Sequence, residues 1–323
     1  MLEHMATVDA LLPAYEACTA GAGLIDRSAM GKLLLTGEEA AKFLDGQVSN
    51  DIATLEPGHG RYATLLTNKG RMLGDLRVLA TDAEPRGLLL ITERVSLQAL
   101  FDQVRRGLIG WQAELHKRTL ELALFSLVGP RAEAVAAAAG LPIPGPDEHD
   151  VAGEVVRTDA GLDVLPAADR AADVRAALLA AGAVEAPEAV AEIVRVESGR
   201  PRYGVDLDDS VMPEEAGIVD RAVSFTKGCY VGQETVARLH WKGKPNRHLR
   251  GLKLPAPVAP GAVVTSVGDD AREVGTVGSV VVSPRTGTIA LAILRRSVEP
   301  GDRVTVASAE GAVEADVVAP PFA

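Results

Sequence analysis

Residues 225–238 hold the densest set of side chains that could do chemistry. Cys229 sits there, one of two cysteines in the chain, with Lys227 two residues before it and Gln233-Glu234 after it. Lys227-Gly228 reads as a turn, because glycine supplies backbone angles that other residues resist. A helix is expected from Tyr230 onward, with Val231, Thr235 and Val236 on one face. Cys229 would then stand at a helix N-terminus, where free N–H groups and the helix dipole favour a thiolate. The charge of Lys227 would push the thiol the same way. Gln233 offers a donor and an acceptor, and an ionised Glu234 accepts only, a pair suited to the edge of a heteroaromatic ring such as a pterin. The same residues also suit a buried structural cysteine beside a solvated helix start.

These residues must be positioned by a chain of 323 residues, enough for two or three domains. Hydrophobic residues make up 47% and charged residues 24%, ordinary for a globular protein; aromatics are only 3%, so the core must be aliphatic. A net charge of -11 excludes a surface that binds nucleic acid all over. Two cysteines, Cys18 and Cys229, fit a reducing cytoplasm and exclude both a disulfide framework and a self-contained cysteine cluster for iron–sulfur or zinc. No metal site is expected. No apolar run suggests a membrane span, and the N-terminus lacks a secretory pattern. Met1-Leu2-Glu3-His4-Met5 reads as a cloning remnant before a native Met5.

Taken in order, Gly21-Ala22-Gly23 lacks the third glycine and the preceding strand of a dinucleotide loop. Residues 32–35 read as a strand, followed by a capping box with Thr36 as N-cap and Glu39 reaching back, then a helix with Ala40, Phe43 and Leu44 on one face. Residues 60–67 and 72–81 are strand-like, joined by Asn68-Lys69-Gly70-Arg71 with glycine in the left-handed position. A third strand covers 88–92. Ser96 caps a helix carrying Leu97, Leu100, Phe101, Val104 and Leu108, and 120–128 reads as a further strand. An alanine-rich helix (131–139), a proline-rich connector (141–150), a hairpin (154–165) and helices at 169–181 and 188–197 follow. Residues 238–250 carry Arg238, Lys242, Lys244, Arg247 and Arg250 and no acid, which suits a solvated linker or a local anion site. From Leu249 six short apolar runs alternate with Pro-Gly and Gly-rich turns, the pattern of a small all-β barrel.

Lys227-Gly228-Cys229-Tyr230-Val231-Gly232-Gln233-Glu234 resembles the signature of the YgfZ family, folate-binding proteins related to the glycine-cleavage T-protein, an aminomethyltransferase. The resemblance extends over most of the chain. Residues 23–28 look like the opening "GLIDRS", and residues 46–52, with Asn50, resemble a segment that lies near the folate cavity. Residues 195–206, with Glu197 and Tyr203, resemble "R-x-E-x-G-x-P-x-x-G-x-D/E", whose glutamate bonds the pterin of tetrahydrofolate; Met212-Pro213-Glu214-Glu215 resembles the "P-x-E" piece that follows. Asp75 falls in the position of the T-protein "DDL" segment, but only one of the two acids is present, beside Gly74.

The resemblance implies an α+β fold of the three-domain cloverleaf T-protein type. Two interleaved α+β subdomains would occupy residues 6–245 and a C-terminal β-barrel 246–323, with tetrahydrofolate, or a one-carbon derivative of it, in a central channel. Cys229 and Lys227 are implied as the reactive pair. Glu197, Asp75, Asn50, Tyr203, Gln233, Glu234 and Arg238 are implied as folate contacts. The implied function is support of iron–sulfur cluster assembly or repair in a cytoplasmic monomer, with iron–sulfur enzymes or assembly proteins as partners. A folate-dependent aminomethyl or other one-carbon transferase and a non-catalytic folate-binding regulator of tRNA modification are the alternatives. The cations of 238–250 would contact an anion such as the polyglutamyl tail of folate.

Overall fold

The computed structural model describes residues 8–81, 87–268 and 271–322; the expected cloning remnant lies outside them. Two sheets interleave along the chain. One has the order Val184–Glu185, Gly23–Asp26, Phe125–Val128, Gly161–Val164, Val155–Thr158, Val151–Ala152, antiparallel except for its first pair. The other is wholly antiparallel: Gly60–Leu66, Met72–Thr81, Gly87–Thr92, Gly31–Thr36, Glu114–Lys117. All strands of the second sheet fall in the sequence between Gly23–Asp26 and Phe125–Val128 of the first. The third element is a closed six-stranded barrel, Arg247–Leu254, Gly287–Arg295, Glu273–Ser283, Val263–Ser266, Arg303–Ser308, Gly311–Val318, whose last strand pairs back with its first. The fold is therefore α+β with a C-terminal β-barrel.

By contacts, one compact unit holds Pro13–Ala191 and Asp220–Thr235, including both sheets; the other holds the barrel with Glu192–Val219. Aliphatic residues fill each core, as the scarcity of aromatics requires. Leu33, Leu35, Phe43, Leu44, Val48, Leu65, Val78 and Leu90 pack one layer of the first unit. Leu79, Leu89 and Ile91 of one sheet meet Leu124, Val156 and Leu165 beside the other. Leu252, Val264, Val277, Leu294, Val304 and Val317 fill the barrel. Closure removes the exposed edges that an open antiparallel sheet would present.

The hairpin predicted at residues 68–71 is present. Gly70 takes φ 72°, Thr67 N–H donates to the Arg71 carbonyl at 2.8 Å, and the flanking strands pair in antiparallel register. Several local expectations fail. The capping box does not form: Thr36 ends its strand with Oγ1 3.1 Å from His116 Nε2, and Glu39 accepts from the Gln112 N–H at 2.9 Å. A distant backbone donor has displaced the local one. Ser96 stands at the N-cap but makes no capping bond, because its hydroxyl is shared with Thr92 Oγ1 at 2.7 Å and the Glu93 carbonyl at 3.0 Å. Of the strand expected at 120–128 only Phe125–Val128 forms, since Glu121 and Leu122 turn back onto Arg118. Residues 238–250 are not a linker: they end the helix Gln233–Lys242 and begin the first barrel strand.

Candidate functional site

The helix expected from Tyr230 begins instead at Gln233. Gly232, at φ 87°, breaks the run before it, and a Cβ there would meet the Thr67 carbonyl oxygen at 2.6 Å, so the chain passes too close to the 67–70 turn for another residue. Cys229 therefore lies on a loop four residues ahead of the helix, and its thiol is exposed. Cys18, in contrast, is buried, and burial pushes its thiol up to about 11.

Lys227 turns the opposite way. Its side chain is 1% exposed, and its ammonium donates to the carbonyls of Asp45 (2.5 Å), Val48 (3.0 Å) and Asn50 (2.7 Å) while pairing with Asp45 Oδ1 at 3.0 Å. Burial lowers its pKa against the opposing bond and charge of Asp45. The visible work of this lysine is to close the 45–50 turn beneath the cysteine loop. Val231 N–H to the Gly46 carbonyl (3.2 Å), Ser224 N–H to the Ser49 carbonyl (3.0 Å) and Ser49 Oγ to the Ala222 carbonyl (2.6 Å) stitch the same two segments. Gln233 and the exposed Glu234 open the helix, and the exposed Arg238 lies further along it.

Asp75 and Asn50 are brought together through a residue that the sequence did not single out, Tyr62. The Tyr62 hydroxyl donates to Asp75 Oδ2 at 2.6 Å, and Asn50 Nδ2 donates to the Tyr62 carbonyl at 2.8 Å. In the hairpin register Tyr62 faces Arg77 and Thr64 faces Asp75, so Tyr62 and Asp75 are diagonal neighbours on one face. That register was available from the turn at 68–71 and would have found the pair. Burial pushes the Asp75 carboxyl up to about 6; the Tyr62 bond and the charge of Arg221 work against this, and Glu93 adds to it. Beside it, a Cβ at Gly74 would meet Ser96 Cβ at 2.8 Å, so the backbone has no room for a second acid there.

Glu197 and Tyr203 belong to the unit that holds the barrel. Glu197 ends the helix Glu188–Glu197 and is 4% exposed; Oε1 accepts from the Ser283 hydroxyl and Oε2 lies 3.4 Å from the Arg285 guanidinium. Its backbone carbonyl accepts from Phe322 N–H at 2.8 Å. Tyr203 is half-buried in the loop bridged to Leu207. The rest of the 195–206 pattern is a lock. Arg195 bonds Asp206 Oδ2 at 2.9 Å, Glu192 Oε2 at 2.8 Å and Ser279 Oγ at 2.5 Å, while Asp206 Oδ1 accepts from Ser279 N–H at 2.7 Å. Burial works against both charges, but the partners outweigh it: the Arg195 guanidinium is held above its ordinary range and the Glu192 carboxyl below it.

The basic stretch is divided. Arg247 is engaged by Glu215 (3.0 and 2.8 Å) and by the Ser210 carbonyl, and Arg250 by the Val298 carbonyl at 3.2 Å. Lys242 and Lys244 remain exposed. Among the described residues no helix is long and apolar enough to cross a membrane.

Two family models match the chain, the GCVT N-terminal domain over residues 6–142 and the glycine cleavage T-protein C-terminal barrel domain over residues 247–323. An aminomethyltransferase of Mycobacterium bovis is 29% identical over 329 residues, covering 95% of this chain and 87% of that one. An aminomethyltransferase of Thermotoga neapolitana is 28% identical over 320 residues, covering 93% and 86%. The crystal structure of glycine cleavage system aminomethyltransferase T from Bartonella henselae matches with a TM-score of 0.86 at 25% identity, over 97% of this chain and 89% of that one. Both matched domains, the interleaved sheets and the closed terminal barrel make the chain similar to the glycine-cleavage T-proteins over most of its length.

Proposed function

We propose that this protein binds a tetrahydrofolate and handles its one-carbon unit beside Asp75, as a folate-dependent aminomethyl or related one-carbon transferase. The observation that carries the reading is the Asp75 carboxyl, raised to about 6 and aligned by the Tyr62 hydroxyl. A carboxyl titrating there can take or give a proton near neutral pH, which transfer of an amine-borne carbon requires. The name aminomethyltransferase, shared by the relatives, supports the reaction class. In the unit that holds the barrel, the buried Glu197 carboxylate, held by Ser283 and Arg285, is an acceptor of the kind that the 2-amino and N3–H donors of a pterin require. When bound, the folate would supply or accept the one-carbon unit.

A second reading, iron–sulfur cluster support of the YgfZ type, is favoured by Cys229. It is an exposed thiol on a loop anchored by the buried Lys227, within the segment 227–234 that resembles that family. Here Cys229 is the reactive thiol, and iron–sulfur enzymes or assembly proteins are the partners.

Calorimetry with tetrahydrofolate on wild type, Glu197→Ala and Cys229→Ala tests the shared core. Binding by wild type and Cys229→Ala, lost in Glu197→Ala, is expected. No binding by wild type removes both readings. Transfer of formaldehyde equivalents to tetrahydrofolate, abolished by Asp75→Asn and untouched by Cys229→Ala, selects the first. Loss of iron–sulfur enzyme activity in cells carrying Cys229→Ala, without any transfer activity in vitro, selects the second.

A further inference from the structure

Asp75 is aligned by a hydroxyl that is itself held from two sides. The Arg221 guanidinium lies 5.2 Å from the centre of the Tyr62 ring, a cation-to-π-face distance. Asn50 Nδ2 donates at once to the Tyr62 carbonyl at 2.8 Å and to the Arg221 carbonyl at 3.0 Å. A single amide thus ties the strand Gly60–Leu66 to the short helix Val219–Ala222, although Asn50 and Arg221 are 171 positions apart in the sequence. Asn50 Oδ1 is occupied as well, accepting from the Asp51 N–H at 2.9 Å, so its amide cannot flip without losing contacts.

We propose that Arg221 and Asn50 are positioning residues that keep the Tyr62 hydroxyl on the Asp75 carboxyl. This deepens the proposed function and rests on Asp75 as its proton-handling group. The groups that bear on Asp75 are Tyr62, Arg221 and Glu93. A hydroxyl donor and a nearby cation both favour the ionised carboxylate, whereas Glu93 disfavours it. Arg221 is shared with Glu148, which its NH2 group bonds, and with Asp159 at 3.8 Å, so part of its charge is already balanced. Its stack on the ring and its carbonyl contact with Asn50 are therefore expected to matter as much as its charge. Asn50, assigned from the sequence to folate contact, acts in this account through Tyr62.

The test is a carbon-13 NMR titration of the Asp75 carboxyl in the full-length, ligand-free protein, in wild type, Tyr62→Phe, Arg221→Met, Arg221→Lys and Asn50→Ala. Wild type is expected to titrate near 6. Tyr62→Phe, Arg221→Met and Asn50→Ala are expected to titrate higher by roughly one pH unit, a tenfold change in the protonation equilibrium. Arg221→Lys, which restores a cation over the ring, is expected to return most of the way. Asn50→Ala changes no charge, so a role confined to general stability leaves its Asp75 midpoint at the wild-type value. Unchanged midpoints in Arg221→Met and Asn50→Ala overturn the inference. Because no folate is present, that outcome holds whether or not the protein later proves to bind folate.

Discussion

Two half-buried clusters, one in each compact unit, each set a carboxyl near an arginine and end in opposite chemical states. Around Arg195, two carboxylates and a guanidinium share direct contacts with Ser279, Arg202 and one another, and Arg202 N–H adds to Asp206 Oδ2 at 2.9 Å. Charge meets charge, and Glu192 is held ionised below its ordinary range. Around Asp75 the nearest donor is a neutral phenol, and the carboxyl is raised to about 6. Burial is common to both, so the counter-charge decides. A matched network locks structure; a mismatched one leaves a group ready to exchange a proton. The matched network carries the Arg and Asp of the 195–206 pattern, so that part of the family resemblance describes architecture.

The comparison is most directly broken at Asp206. Asp206→Ala strips Arg195 of its deepest partner and orphans Ser279 N–H, and should cost about 3–5 kcal/mol in denaturant unfolding. A loss under about 1 kcal/mol would show that the network is not a lock. Lys227→Met should follow at about 3 kcal/mol, because three carbonyls and the Asp45 carboxylate lose one shared donor. Hydrogen exchange across 45–50 should rise with it, and unchanged protection would deny the clamp.

Asp75→Asn should act with the opposite sign. The folded pKa of Asp75 is above the unfolded value, so its stabilising contribution is complete below about pH 4 and disappears as pH rises through 6. At pH 8 the asparagine variant should be more stable than wild type by about 1–3 kcal/mol, and the difference should vanish toward about pH 4. A variant less stable at that alkaline pH would mean that Asp75 is paired in the manner of Asp206. The smallest effect is expected at Lys242 and Lys244. Charge reversal there should weaken a polyglutamylated folate several-fold and leave the monoglutamate unchanged; equal effects on both would deny the anion contact.

The strands of the barrel were legible because their punctuation is local: Pro260-Gly261, Pro284 and Pro300-Gly301 separate apolar runs. The 68–71 hairpin was legible for the same reason. The order of the barrel strands was not, since Arg247–Leu254 pairs with Gly287–Arg295 and Gly311–Val318, both far along the chain. What escaped was set by distant partners. Glu39 has the spacing of a capping glutamate, yet its acceptor oxygen is taken by Gln112. The helix start moved from Tyr230 to Gln233 because the 67–70 turn presses on Gly232. Lys227 stands two residues from Cys229 and looked like its electrostatic partner, but its ammonium is sequestered by carbonyls far earlier in the chain, that of Asp45 lying 182 positions before it. Of the candidate site, Asp75 and Asn50 were singled out by resemblance. Tyr62 and Arg221 were missed, Tyr62 because the hairpin register was not followed to its side-chain faces, and Arg221 because nothing near it in the sequence marks it.

The lysine clamp also has a consequence in time. The turn at 45–50 emerges from the ribosome long before the ammonium that satisfies it, since Lys227 lies 177 residues after Asn50. At synthesis rates of about 5–20 residues per second, that turn waits roughly 9–35 s with its carbonyls facing water or improvised partners. The sheets can pair in the interval, but the cysteine loop cannot be seated until the chain has left this unit and come back to it. The cysteine loop is thus the closing stitch of its own domain, added only when everything beneath it already exists.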